Sequence, residues 1–425
     1  VRKHLDLWLA LAVFLAAAVV AGLFWSLLPA EFQGNQSTDY TTWYEPVARN
    51  ILAGRGVTLD GELTSRYPPG FPVLLAGVFG ASRGLGLGDE TGLLLFRMLC
   101  AGLSAVLVYA LARLVWPPAL ALVAAGAWLT YPFGLWLTKQ PNSEVPFIPI
   151  LYAALFVFWL AVLRRPRAWW LYLLAGTLVG AAMLIRPAAL LLGPVLALVL
   201  VLVARDLRPA TRLGMAALLL VGAVAVVLPW EAAVYRETRE VVLLSSGGAI
   251  TIQDGLTFLA VPKEYRQEVA VAPDVAEMMR RFHDRRPEMA SMGGVLRVML
   301  DEAAAAPLTF VKLQLIKAGR SWYGIDSRRF ELPVLLIQAV YLGLIVWGSA
   351  VAWRLGGPKR RMTVGNWLIT GYFWAMTILV VPLLRYMLPV MGLLMVAVPG
   401  VVVWLAGRFG RTEPANAPQT ANTDG

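Results

Sequence analysis

A handful of residues in this 425-residue chain stand where ionisable groups could do chemistry at the edge of an apolar layer. Asp39 lies just beyond the first apolar run, Leu7 to Leu28. A carboxylate in such a partly dehydrated place is suited to accept the proton of a hydroxyl nucleophile. A solvated residue capping the next helix is the competing reading. Glu144, in Lys139-Gln140-Pro141-Asn142-Ser143-Glu144, opens another apolar run, where an acidic residue also complements a helix dipole. Three arginines mark the ends of such runs: Arg66 before Tyr67-Pro68-Pro69-Gly70, Arg186 in Ile185-Arg186-Pro187, and Arg385 in Arg385-Tyr386-Met387-Leu388-Pro389. Charge at that depth is costly, so each is a candidate for holding an anion, with snorkelling to lipid headgroups as the alternative. Lys139 ranks below them, because a lysine snorkels more freely.

The elements that must position these groups are membrane helices. Hydrophobic residues make up 59% of the chain and the mean hydropathy is +0.66, far above a soluble domain. The spacing predicts an all-α polytopic membrane protein with about ten spans, near 7–28, 94–114, 117–137, 145–163, 168–185, 187–204, 213–230, 332–353, 362–384 and 386–407. The basic start of the first run resembles a signal peptide, but its length and the lack of a small-residue cleavage site favour a retained helix.

The net charge of +11 fits basic cytoplasmic loops better than nucleic-acid binding. With the N-terminus inside, the inner segments carry Arg2, Lys3, Arg113, Arg164, Arg165, Arg167, Arg205, Arg208, Arg212, Arg354, Lys359, Arg360, Arg361, Arg408 and Arg411. The short outer connections carry only Lys139, Arg186 and Arg385. That asymmetry requires the run Pro68–Gly80 to lie in the interface rather than span. Both termini are then cytoplasmic, and two large outer segments follow, 29–93 and 231–331.

The organisation expected is an N-terminal transmembrane module over 1–230, an extracytoplasmic loop or small cover over 231–331, C-terminal helices over 332–411 and a disordered cytoplasmic tail over 412–425. In the first outer segment, Tyr44, Val47, Ala48, Ile51 and Leu52 have helical spacing, with Pro46 in the first turn and Gly54 and Gly56 as a stop. The second is too poor in core residues to form an assured independent domain and is expected to pack over the first. Its Gln253, Asp254 and Lys312 read as surface residues. One cysteine, Cys100, excludes an intrachain disulfide, and two histidines exclude a His-rich metal site. Neither a phosphate-binding glycine loop with Lys-Ser/Thr nor a dinucleotide fingerprint is present.

The order of an Asp after the first span, the Ala48-x-Asn50-x-Leu52-x-x-Gly helix end, Arg66-Tyr67-Pro68-Pro69-Gly70-Phe71-Pro72, the Pro229-Trp230 step, Ser245-Ser246-Gly247-Gly248 and the late Arg-Tyr-x-x-Pro resembles GT-C glycosyltransferases. The protein O-mannosyltransferases and lipid A aminoarabinose transferases are the nearest in pattern. The resemblance implies sugar transfer from a polyprenyl-phosphate donor on the outer face of a bacterial-type plasma (inner) membrane. It implies Asp39 as general base and Glu144 as the second acidic residue, with Arg385, Arg66, Arg186 and Lys139 on the donor phosphate. Tyr40, Tyr67 and Tyr386 would position the loops. It leaves open the acceptor (protein, lipid or glycan) and whether Asp39 and Glu144 hold Mg²⁺ or Mn²⁺. The chain departs from the pattern in two places: Tyr40 replaces the acidic residue after Asp39, and Glu231-Ala232 stands where Arg-Asn follows the Trp. A flippase or transporter of lipid-linked sugar, and a surface-polysaccharide polymerase or ligase, are the competing classes. Against the first, charges cluster at span ends and no repeat is visible. Against the second, the large loop holds a single His.

Overall fold

The computed structural model describes residues 2–34, 37–258, 271–325 and 330–409. The tail beyond Arg411, expected to be disordered, lies outside the described residues. Each of the ten expected runs is helical over most of its length. Among the described residues, six helices are long and apolar enough to cross a bilayer: His4–Ser26, Asp89–Arg113, Glu144–Arg164, Pro209–Thr238, Glu331–Leu355 and Leu388–Phe409. Pro118–Leu129 and Pro132–Lys139 make a seventh if taken as one span bent by 58°. Pro132 lacks an N–H and pushes Tyr131 into an extended conformation, so the helix breaks there. The Tyr341 hydroxyl donates to the Thr130 carbonyl at the break.

The remaining runs depart from simple spans. Trp169–Ile185 and Pro187–Val203 are apolar but short. Gly357–Leu379 buries Thr363, Asn366, Thr370 and Thr377 among its neighbours and ends five residues before the expected 384. Pro382 cannot continue a helix, and residues 380–383 are non-helical, followed by a 3-10 turn, Leu384–Tyr386.

Helices pack where small residues admit a backbone. Trp169–Ile185 crosses Pro209–Thr238 at Gly176, Gly180 and Gly222. A Cβ on Gly176 would run into the Leu219 carbonyl, and one on Gly180 would stand 2.6 Å from that of Ala223. This is the small-xxx-small spacing that lets membrane helices approach closely. By contrast, Arg2–Ser26 leaves Leu7, Trp8, Leu15 and Leu23 exposed, as a lipid-facing helix does.

The polar segments form two small assemblies. In the first, a π-helical turn, Tyr40–Tyr44, leads into Glu45–Leu52, stopped by Gly54 and Gly56 at positive φ. A hairpin (Thr58–Leu59 with Glu62–Leu63) and the 15-residue helix Gly70–Gly84 follow. That helix is too short to span and buries Phe71, Leu75 and Phe79.

In the second assembly, Gly248–Thr257, Pro273–Asp284, Met292–Ala305 and Pro307–Arg320 bury an apolar core of their own, which Val381 and Leu383 complete. Gln253 donates to the Met289 carbonyl, Asp254 pairs with Arg286, and Lys312 pairs with Asp274, all within this assembly.

The second assembly grips residues 379–384 backbone to backbone. A Cβ on Gly255 would clash with the Val380 carbonyl, and one on Gly324 would stand 2.7 Å from that of Pro382. The Leu384 N–H donates to the Gly324 carbonyl at 2.8 Å, and the buried Lys317 ammonium donates to the Leu379 carbonyl at 3.3 Å. Burial pulls the Lys317 pKa down to about 7, whereas a free lysine titrates near ~10.4. The unfolded chain therefore binds more protons between those values, and stability rises with pH from about 7 to about 10. Lys317→Met is expected to raise the melting temperature at pH 7 and to flatten that rise. The gain is on the order of a few kcal/mol, at about 1.4 kcal/mol per pKa unit. Thermal unfolding of both proteins in nanodiscs across pH 6–10 checks it.

Candidate active site

Asp39 precedes the π-turn Tyr40–Tyr44, a backbone irregularity of the kind found where a helix must re-aim side chains. It is half-buried, and the Tyr67 phenol donates to its Oδ1 at 3.2 Å. Among the described residues this is its one hydrogen-bonding side chain. Burial, and then the Asp39 charge, push the Tyr67 hydroxyl up to about 12, so it stays a proton donor at neutral pH. The Tyr67 ring packs on Tyr44 at 4.9 Å between centroids, and Tyr44 on Phe71 at 4.8 Å.

The Arg66-Tyr67 stretch is held from behind by the second assembly. The Ser246 N–H donates to the Ser65 carbonyl at 2.8 Å, and a Cβ on Gly247 would lie 2.7 Å from the Arg66 carbonyl. The turn is set in its place by Leu244, whose N–H and carbonyl are held by Glu231 and the Trp230 indole. The Pro229-Trp230 step and the Ser-Ser-Gly-Gly turn thus act together on the first polar segment.

Glu144 begins the helix Glu144–Arg164 with its side chain only 5% exposed. Arg186 meets its Oε2 at 2.5 Å and donates to Ser143 Oγ at 2.9 Å. Arg186 is extended between Trp169–Ile185 and the 3-10 turn Pro187–Ala189, a conformation that the following proline favours. Arg385 reaches Glu144 Oε1 from the other side at 4.0 Å and donates to the Tyr386 hydroxyl at 2.9 Å. Both guanidiniums stand over the Tyr386 ring, at 5.5 and 4.9 Å. The Arg385 side chain is 39% exposed against 15% for Arg186, so it is the cation open to a ligand.

Tyr44 connects the two groups. Its buried phenol lies beside the Ser143 side chain and feels Arg186, Tyr67 and Glu144. The sequence placed Tyr44 only on the apolar face of a helix, and Ser143 is uncharged, so neither announced a role. A line of contacts therefore runs Asp39–Tyr67–Tyr44–Ser143/Glu144–Arg186–Tyr386–Arg385.

Two of the expected phosphate-binding residues make other contacts than with Glu144 or Arg385. Lys139 is buried, and its ammonium donates to the Gly34 carbonyl at 2.8 Å, fastening the start of the polar segment to Pro132–Lys139. Arg66 stands over the Trp43 ring, 5.3 Å from its centre, and 6.0 Å from that of Tyr67. Tyr40 is buried, at 6% exposure.

The donor set does not fit a divalent cation as it stands. Glu144 is neutralised by Arg186 and faces Arg385, and Asp39 accepts from Tyr67. Among the described residues no three His, Cys, Asp or Glu side chains gather.

Residues 68–231 match the family model of dolichyl-phosphate-mannose-protein mannosyltransferase. The matched part holds Glu144 and Arg186 and stops short of Asp39 and Arg385. No curated protein matches by sequence. The solved structure of the archaeal oligosaccharyltransferase AglB from Archaeoglobus fulgidus, in complex with an inhibitory peptide and a dolichol-phosphate, superposes with a TM-score of 0.55 at 13% identity, covering 97% of this chain and 52% of that one. An oligosaccharyltransferase of the same organism in complex with Zn and sulfate gives 0.54 at 14% identity, over 93% and 50%. ArnT from Cupriavidus metallidurans bound to undecaprenyl phosphate gives 0.43 at 15% identity, over 98% and 82%. The chain spans about half the length of the oligosaccharyltransferases it matches. The chain shares the fold of the matched half of these oligosaccharyltransferases, and residues 68–231 within it are similar to the mannosyltransferase family.

Proposed function

We propose that the chain transfers a sugar from a polyprenyl-phosphate donor to a hydroxyl acceptor at the membrane surface, on the extracytoplasmic side. The observation that carries this reading is the line of contacts joining a half-buried carboxylate, Asp39, to a half-buried guanidinium, Arg385, through Tyr67, Tyr44 and the Glu144–Arg186 pair. Asp39 takes the proton from the acceptor hydroxyl as its oxygen forms the new bond to the anomeric carbon. The bond from that carbon to the phosphate oxygen breaks, and the phosphate leaves with the electron pair. Attack opposite the leaving group inverts the anomeric configuration. Arg385 meets the growing phosphate charge, and Arg186, fixed by Glu144, adds positive potential behind it. Glu144 is then a positioning residue, because its carboxylate faces two guanidiniums rather than a substrate.

Transfer of radiolabelled sugar from a panel of polyprenyl-phosphate sugars, by purified protein in liposomes, tests the reading. Label released from the carrier supports it. Labelled lipid that crosses the bilayer intact would identify a flippase instead.

A further inference from the structure

In the second assembly, Pro307–Arg320 keeps an apolar stripe that its own fold does not bury. Leu308, Val311 and Leu315 follow at spacings of three and four, which sets them on one face of the helix. They are 78%, 52% and 66% exposed. The opposite face holds the buried Leu313, Lys317 and Arg320. The basic side chains of the helix are drawn away from the stripe, Lys312 to Asp274, Lys317 to the Leu379 carbonyl and Arg320 to Glu331. An exposed apolar stripe without charge marks a surface that something covers. We infer that Pro307–Arg320 docks on the membrane, with Leu308, Val311 and Leu315 among the lipids of the leaflet at the Glu331 end. The inference stands apart from the transfer reading.

Three observations make lipid the occupant. The helix ends at the mouth of a span, because Arg320 pairs with Glu331, the first residue of Glu331–Leu355. Secondly, Gly357–Leu379 turns back along that span and packs on it, with the Trp367 indole donating to Ser349, so its Leu379 end returns to the level of Glu331. The Trp374 indole, five residues before that end, donates to the Ala318 carbonyl at 3.0 Å. Five helical residues rise about 7.5 Å, so the last turn of Pro307–Arg320 lies that far inside the end of a helix packed on a span. Trp374 is exposed and meets the Trp322 ring edge-on at 5.9 Å between centroids, and tryptophans collect where lipid meets water. Leu315 is one turn from Ala318, so the stripe runs up to that aromatic pair. Thirdly, three side chains fall short of the roughly 800 Å² per partner that a standard protein interface buries. A bilayer sets no such minimum, and a helix with one apolar face settles with that face in the headgroup–acyl boundary.

The test is spin-label accessibility on the full chain in phosphatidylcholine nanodiscs, with nitroxides attached at Leu308→Cys and Leu315→Cys in a Cys100→Ala background. Arg280→Cys, on Pro273–Asp284 with a side chain 64% exposed, is the solvent reference. Labels at 308 and 315 should collide with a water-soluble nickel chelate at least fivefold less often than the label at 280, and with oxygen, which concentrates in lipid, more often. Chelate collisions equal to those at 280 would place the stripe in water and overturn the inference. Shielding from both reagents would mean that protein covers it, another segment of the chain or a second copy, and would overturn it equally. A second measurement needs no substitution. Phosphatidylcholine with a diazirine in its acyl chain should label wild-type peptides from 307–320, and label confined to spans such as Glu331–Leu355 would sink the proposal.

Discussion

Asp39→Asn is expected to lower sugar release by about 10²–10⁴-fold, the span that a positioned general base contributes. Asparagine keeps the shape of the side chain and an oxygen to accept the Tyr67 hydroxyl, so the local fold survives and the loss is chemical. The hydrogen bond at 3.2 Å fixes the rotamer without neutralising the carboxylate, because the Tyr67 proton stays on the phenol up to a pH of about 12. Polyprenyl phosphate should bind the variant as it binds wild type, since Arg385 is untouched. Near-normal turnover by a folded Asp39→Asn protein would remove Asp39 from the base's role.

Arg186→Met is expected to be strongly destabilising. It strands the Glu144 carboxylate, whose side chain is 5% exposed and whose 2.5 Å partner is gone. Breaking a buried pair from one side costs about 3–5 kcal/mol, whereas replacing both partners by apolar groups is often near neutral. Arg385 offsets only part of the loss, being 4.0 Å from the other oxygen. The double variant Arg186→Met/Glu144→Leu should therefore recover most of the melting temperature in nanodiscs yet release sugar far more slowly than wild type. Recovery of both would reduce the pair to a structural bridge. Recovery of neither would mean that the packing around Ser143, not the charge, is what the site needs.

Much of the fold was legible because burial in lipid writes itself into hydropathy. The runs chosen for their apolar length are helical over most of their length, and Pro46, Gly54 and Gly56 bound the helix Glu45–Leu52 as their backbone preferences dictate. Where the reading failed, hydropathy was the wrong observable. Residues 380–383 are as apolar as a membrane helix, but Pro382 and the backbone contacts to Gly255 and Gly324 make them irregular. Pro209–Thr238 continues past its apolar part into Glu231, Arg236 and Glu237, because nothing in a hydropathy profile registers a helix that extends beyond its apolar stretch. For the site, type and position marked Asp39, Glu144, Arg186 and Arg385. Their mutual arrangement was invisible, since Glu144 and Arg186 meet only through the packing of Glu144–Arg164 against Trp169–Ile185. Tyr44, Ser143 and Trp43 carry no charge and so drew no attention, although two of them join the charged groups.

The grip of Gly255, Gly324 and Lys317 on residues 379–384 has a thermodynamic corollary. Arg385 follows directly on a strip of chain whose other face is the second assembly, so the guanidinium and that assembly share one mechanical link. Any ligand that favours one setting of Arg385 must favour the matching seat of the assembly, and linkage makes the preference mutual. An antibody fragment raised against Pro273–Asp284 would then alter affinity for polyprenyl phosphate by the same factor as the lipid alters affinity for the fragment, with neither touching the other.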